Sequence, residues 1–192
     1  MNYKLLFITS LLLIVGCELK NGTYSDFYSN GQKSFEKNFS NGVEDGKWTH
    51  WYEDGVLKIK GNYKDGHEDG NWVYFYSNGG KNLELNFKNK KIHGTWTDWD
   101  KNGQKRSEVT YKDGIHNGLS TYWYENGQNK SEGTYKDGIH NGLSTYWYEN
   151  GQKESEGTYK DGKRDGLWTD WDENGKKLKE ETYKNGELIS KK

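Results

Sequence analysis

Nineteen residues, TYKDGIHNGLSTYWYENGQ, occur twice in this chain, from Thr110 to Gln128 and again from Thr134 to Gln152. The copies lie twenty-four residues apart, and that spacing runs through the chain: segments beginning at Gly22, Gly46, Gly70, Gly94, Gly118, Gly142 and Gly166 align without a gap. A fixed period of this length means an array of small units that cannot bury a core alone and are stabilised by their neighbours. With columns numbered from the first Gly, column six is always aromatic: Phe27, Trp51, Phe75, Trp99, Trp123, Trp147 and Trp171. Column ten is always Gly, from Gly31 to Gly175, and column eighteen is again aromatic: Phe39, Tyr63, Phe87, Tyr111, Tyr135, Tyr159 and Tyr183.

Each unit carries two turn signals. Columns nine and ten read Asn-Gly, or Asp54-Gly55 in one repeat; columns twenty and twenty-one read Asn-Gly or Asp-Gly, except for Asn89-Lys90. Such pairs suit type I′ hairpin turns, which need positive φ at both central residues. The runs between them, such as STYWY and SEGTY, are rich in Thr, Tyr and Trp and alternate like strands. Each repeat therefore reads as two antiparallel strands, and seven repeats as about fourteen.

A two-residue turn at columns nine and ten sets column three opposite column sixteen and column five opposite column fourteen. Trp48 then faces Gly61. Column six points to the other face, where Lys58 over Trp51 and Arg106 over Trp99 are expected cation–π pairs. Two such turns leave strands of unequal length, so one connection has to be wider, and the Asp-Gly one, as in KDGKRDG, is expected to be it. Strands about 4.8 Å apart would build a ribbon roughly 65 Å long, curled by right-handed twist.

Mean hydropathy is −1.23 and 30% of residues are charged, values that by themselves suit disorder. The rings argue otherwise. Beyond residue 17 there are twenty-eight aromatic and eighteen aliphatic side chains, and a Trp or Tyr buries roughly 150–250 Å². The fold class expected is all-β, an elongated single-layer antiparallel sheet of stacked hairpins. The formal net charge of −1 gives no reason to expect a nucleic-acid partner.

The first residues, MNYKLLFITSLLLIVGC, have Lys4 before an apolar run from Leu5 to Val15. That run is shorter than the roughly twenty residues a membrane helix needs and has the length of a signal-peptide core. Ile14-Val15-Gly16-Cys17 resembles the bacterial lipobox, and Cys17 is the only cysteine. The resemblance implies a signal peptide over 1–16, lipidation of Cys17, a short tether over 17–21 and an exported lipoprotein of the cell envelope. Its membrane partner would be reached through acyl chains, worth about 0.8 kcal/mol per buried CH₂.

GTYKDGKRDGLWTDWDENG, residues 157–175, resembles the MORN repeat, in the variant common in bacterial proteins and named after YwqK-type antitoxins. Tyr159, Gly162, Gly166, Trp168, Trp171 and Gly175 carry the likeness, which extends over 22–192. It implies a single-layer sheet of stacked hairpins that serves binding or scaffolding. Pairing with a toxin is implied for certain members, although a lipobox departs from a cytoplasmic antitoxin.

No constellation points to an enzyme or a cofactor. His50, His67 and His93 fall in three different columns, while His116 and His140 share one, and no His-x-x-x-His or cysteine-containing metal pattern occurs. The column-fifteen carboxylates Glu36, Glu84, Glu108, Glu132, Glu156 and Glu180 would stand about 10 Å apart, too far to share Ca²⁺, and read as a solvated face. What remains is aromatic surface, since Trp and Tyr favour interfaces. The expected partner-binding strip is Trp48, Trp72, Trp96 and Trp168, flanked by Tyr52, Tyr76, Tyr124 and Tyr148. A protein partner is the first expectation, with a toxin and a glycan stacked on Trp as alternatives; oligomeric state is left open.

Overall fold

The computed structural model describes residues 21–192; the expected signal peptide and the expected lipidation site at Cys17 lie outside them. Sixteen strands form one antiparallel sheet: β1 (Gly22–Phe27), β2 (Lys33–Ser40), β3 (Val43–Trp51), β4 (Leu57–Lys64), β5 (His67–Phe75), β6 (Lys81–Lys88), β7 (Lys91–Ile92) and β8 (Gly94–Trp99) come first. They are followed by β9 (Lys105–Lys112), β10 (Ile115–Trp123), β11 (Asn129–Lys136), β12 (Ile139–Trp147), β13 (Lys153–Lys160), β14 (Lys163–Trp171), β15 (Lys177–Lys184) and β16 (Glu187–Lys191). Strand order follows chain order, with β7 and β8 both pairing β6. There is no helix among the described residues. The described residues form an open single sheet of seven repeats.

The register places Trp48 opposite Gly61 and His50 opposite Ile59, as the spacing predicts. The two turns are the reverse of what their dipeptides suggest. At columns twenty and twenty-one, Asp65 (φ 51°) and Gly66 (φ 75°) both lie in the left-handed region, with Lys64 paired to His67. That is a tight type I′ turn. At the other end only the Gly has positive φ, as in Gly55 at 85°. Gly55 N–H donates to the Tyr52 carbonyl at 2.9 Å and Tyr52 N–H to the Val56 carbonyl at 2.8 Å. This is a three-residue loop, a type I turn followed by a left-handed Gly. The wide connection is therefore the Asn-Gly one.

A bulge follows from that loop. Trp51 pairs with Leu57 rather than Lys58, so column thirteen is the extra residue and leaves the face carrying column six. The expected cation–π pairs are accordingly replaced. Lys33, from the preceding repeat, lies 5.6 Å from the Trp51 ring and Lys81 lies 5.3 Å from Trp99. Lys58 covers Tyr52 instead, and Arg106 approaches Asp98 at 3.8 Å.

The core is thin and aromatic. Trp72, Val73, Leu85, Val109 and Trp168 are its buried apolar residues. Trp72 lies against Gly61 and Trp168 against Gly157, so closely that no Cβ fits at either Gly. Each ring thus covers the bare backbone of the preceding repeat, and this is how one unit buries the next.

Candidate interaction surface

One face is a ladder of rings. Column-three and column-eighteen side chains meet across repeats, with Trp48 and Trp72 centroids 5.2 Å apart, Tyr63 and Trp72 5.2 Å in a T-shaped pair, and Tyr159 and Trp168 5.0 Å. Such pairs add about 0.5–1.5 kcal/mol beyond burial. Trp72 is 1% exposed and Trp168 2%. These two rings have no area to offer a partner, which corrects their place in the expected binding strip. Trp48 and Trp96 are half-buried.

The flanking tyrosines also bind the array to itself. Tyr52 hydroxyl donates to the Phe75 carbonyl at 2.8 Å, Tyr76 to Trp99 at 2.8 Å, Tyr124 to Trp147 at 2.7 Å and Tyr148 to Trp171 at 2.9 Å. Each bond reaches the next repeat. Column-nine amides reinforce it: Asn126 donates to the Glu149 carbonyl and Asn150 to that of Glu173, both at 2.7 Å.

Sequence reasoning had no place for the histidines of the middle repeats. Column three changes from Trp to Ser120 and Ser144, both 1% exposed, and His116 and His140 fill the ladder instead. His140 stacks between Tyr135 (4.4 Å, 10°) and Tyr159 (4.2 Å, 14°). Its Nε2 lies 2.9 Å from Ser144 Oγ, and burial pushes the imidazole below its ordinary value. A Ser–His pair is the start of a nucleophilic site, but a Ser buried to this degree cannot meet a substrate. Beside it Ser120 Oγ, buried without a hydrogen-bond partner, lines a cavity of about 90 Å³ with Tyr122, Gly133 and Tyr146. Among the described residues no cluster of three or more His, Cys, Asp or Glu is placed to hold a metal ion.

The opposite face is charged and ordered. Column-fifteen carboxylates meet column-twelve lysines, with Lys33–Glu36 at 2.5 Å, Lys81–Glu84 at 2.6 Å, Lys105–Glu108 at 2.5 Å and Lys153–Glu156 at 2.5 Å. Except at Glu132, the glutamate row therefore works as a set of ion pairs on a partly solvated face, each worth about 0.2–1 kcal/mol. Columns two, four and six share this face. Column two reads Thr23, Lys47, Asn71 and Thr95, then Leu119, Leu143 and Leu167. Those leucines are 47%, 55% and 54% exposed, and Ile115 and Ile139 nearby in the chain are half exposed.

Compared with known families, the chain is matched seven times by the MORN repeat variant, at residues 20–41, 44–65, 68–89, 92–113, 117–137, 141–161 and 164–185. The chain belongs to the MORN repeat variant family. Each MORN match spans one long hairpin around its three-residue loop and stops at the tight type I′ turn, so the family unit is the hairpin closed by column seven. MORN repeats are in general modules for protein or membrane interaction. No curated relative matches the chain. The column-two leucines, unlike the shared glycines and rings, belong to three repeats of this array only. The change from polar to Leu was readable in the sequence, but the aromatics drew attention from it.

Proposed function

We propose that this MORN array is an envelope-anchored protein-interaction module. Acyl chains on Cys17 hold it to a membrane surface, and the sheet presents Leu119, Leu143 and Leu167 to a protein partner. The observation that carries the reading is that row. Three successive repeats leave a leucine about half exposed where the four before them carry Thr, Lys or Asn. An aliphatic row on a charged face is the kind of patch that marks an interface. Its members stand two strand spacings apart, roughly 10 Å, which suits a partner lying across the strands. The ladder face supports this role by stiffening the array.

The test is crosslinked capture from intact envelopes with mass spectrometry. The native chain is expected to retain one stoichiometric protein, and Leu119→Asn/Leu143→Asn/Leu167→Asn to lose it with an unchanged unfolding midpoint. Retention of the same protein by the triple variant would remove the leucine row from the account. Cys17→Ser is expected to leave the membrane fraction; its continued partition there would remove the lipid tether.

A further inference from the structure

The lysine row on the charged face is interrupted twice: at Leu57, where Lys60 of the same strand covers the next ring, Phe75, at 5.7 Å, and at Asn129, where no cation among the described residues takes its place. Trp51, Trp99, Trp123 and Trp171 each carry the ammonium of a column-twelve lysine, 5.3–5.9 Å from the ring centroid. The same ammonium lies 2.5–2.6 Å from the column-fifteen carboxylate. For Trp147 the column-twelve residue is Asn129. An amide brings no charge, and among the described residues Trp147 has no cation over it and Glu132 makes no ion pair. Lys130 does not substitute, because its ammonium lies over Tyr124 at 5.5 Å. Instead Asn129 and Trp147 line an opening of about 440 Å³ at the loop edge, with Asn126, Gln128 and Gly151.

We propose that this opening receives a lysine side chain presented by a partner polypeptide. The four neighbouring brackets define the ligand: an ammonium between a carboxylate and an indole face, with its methylene stem free to lie along the ring. The fold does not demand the exception. Residues 118–138 and 142–162 differ only at Asn129-Lys130 against Lys153-Glu154, so one repeat carries its own lysine and its twin leaves the acid and the ring without one. Glu132 does not line the opening itself but pairs with Thr145, two residues from Trp147 on the same face of the strand. A carboxylate left without its lysine there favours a cation over a neutral sugar, for which Trp147 and the amides alone would serve. The inference deepens the interaction reading by naming a chemistry for the partner, and its test reads the site apart from the leucine row.

The experiment follows the indole N–H signal of Trp147, assigned with Trp147→Phe, in the full chain in detergent. The probes are acetyl-Gly-Lys-Gly-amide, its Nε-acetyl-lysine counterpart, choline and N-acetylglucosamine. The lysine peptide is expected to shift Trp147 saturably at millimolar concentration, and the acetylated peptide to leave it unmoved. Asn129→Lys/Lys130→Glu, which copies the twin repeat and so keeps the fold, is expected to weaken binding by roughly tenfold, as is Glu132→Gln. An unmoved signal, an equal shift in the twin-copy variant, or a response to choline or the sugar without one to lysine would overturn the proposal. A Trp147 shift without captured protein would instead sink the interaction reading and leave the site.

Discussion

Tyr124 donates its hydroxyl to the carbonyl oxygen of Trp147, 2.7 Å away and twenty-three residues ahead. The bond joins the loop of one hairpin to the last strand residue of the next, and four other column-seven tyrosines repeat it. Tyr124→Phe removes the donor and leaves the carbonyl short of a partner. The expected loss is about 1 kcal/mol, read as a lower urea midpoint at an unchanged m-value. A neutral Tyr124→Phe alongside a neutral Tyr148→Phe would mean that these bonds do not couple the repeats.

Lys90 is the one column-twenty-one residue that is not Gly, yet its φ is 65° like that of the glycines around it. A side chain in this region costs roughly 1–2 kcal/mol, against about 0.5–1 kcal/mol of added unfolded-chain entropy for Gly. Lys90→Gly is therefore expected to stabilise the array by several tenths of a kcal/mol to about 1. A lower thermal midpoint for that variant would contradict the turn assignment.

Gly157 has no room for a Cβ because the Trp168 ring lies on it. Gly157→Ala should destabilise by about 1–3 kcal/mol through overpacking, whereas Trp168→Ala should cost about 3–5 kcal/mol through the cavity it leaves. In the double variant the alanine methyl no longer meets the ring, so the two costs should be less than additive. Simple additivity in denaturant titrations would show that the two residues do not meet.

His140 is held below its ordinary value by burial between Tyr135 and Tyr159, and His50 by burial together with Lys58 and Lys37. As pH falls through about 6.5 the unfolded chain takes up these protons before the folded one does. Stability is therefore full above that pH and declines below it. His140→Phe, which keeps a ring in the stack, should flatten part of the decline between about pH 7 and pH 5.5. An identical pH profile for the variant would place the sensitivity elsewhere. Further into acid a second loss is expected, since hydrogen bonds from Lys179 and Tyr183 hold the Glu181 carboxyl down to about 2. Its contribution is present above the ordinary carboxylate range and is lost as pH falls toward that value.

The period, the strand parity and the Trp48–Gly61 register were legible because side-chain alternation and a repeated Gly leave little choice. The turn types were not, because Asn-Gly serves two physical ends. At columns twenty and twenty-one Asn41 itself takes positive φ, at 50°. At columns nine and ten Asn30 acts instead through its side chain, whose Oδ1 accepts from Gln32 N–H at 2.9 Å. Only the surrounding hydrogen bonds separate these roles. The binding strip failed at Trp72 and Trp168 for a related reason: parity assigns a face, but whether the adjoining repeat covers that face depends on column sixteen being Gly. The ladder histidines were weighed only as metal ligands, since nothing local tells that His140 enters a stack left open by Ser144.

The ring ladder lies inside the array at Trp72 and Trp168, and the leucine row lies outside it. Hydroxyl-radical footprinting of the free chain and of its captured complex tests both halves at once, because indoles are the more reactive side chains and their silence is informative. Modification of Leu119, Leu143 and Leu167 in the free chain, lost in the complex, is the expected result, with Trp72 and Trp168 untouched in both states. Heavy oxidation of Trp72 and Trp168 in the free chain, with protection of those rings rather than the leucines by the partner, would contradict it.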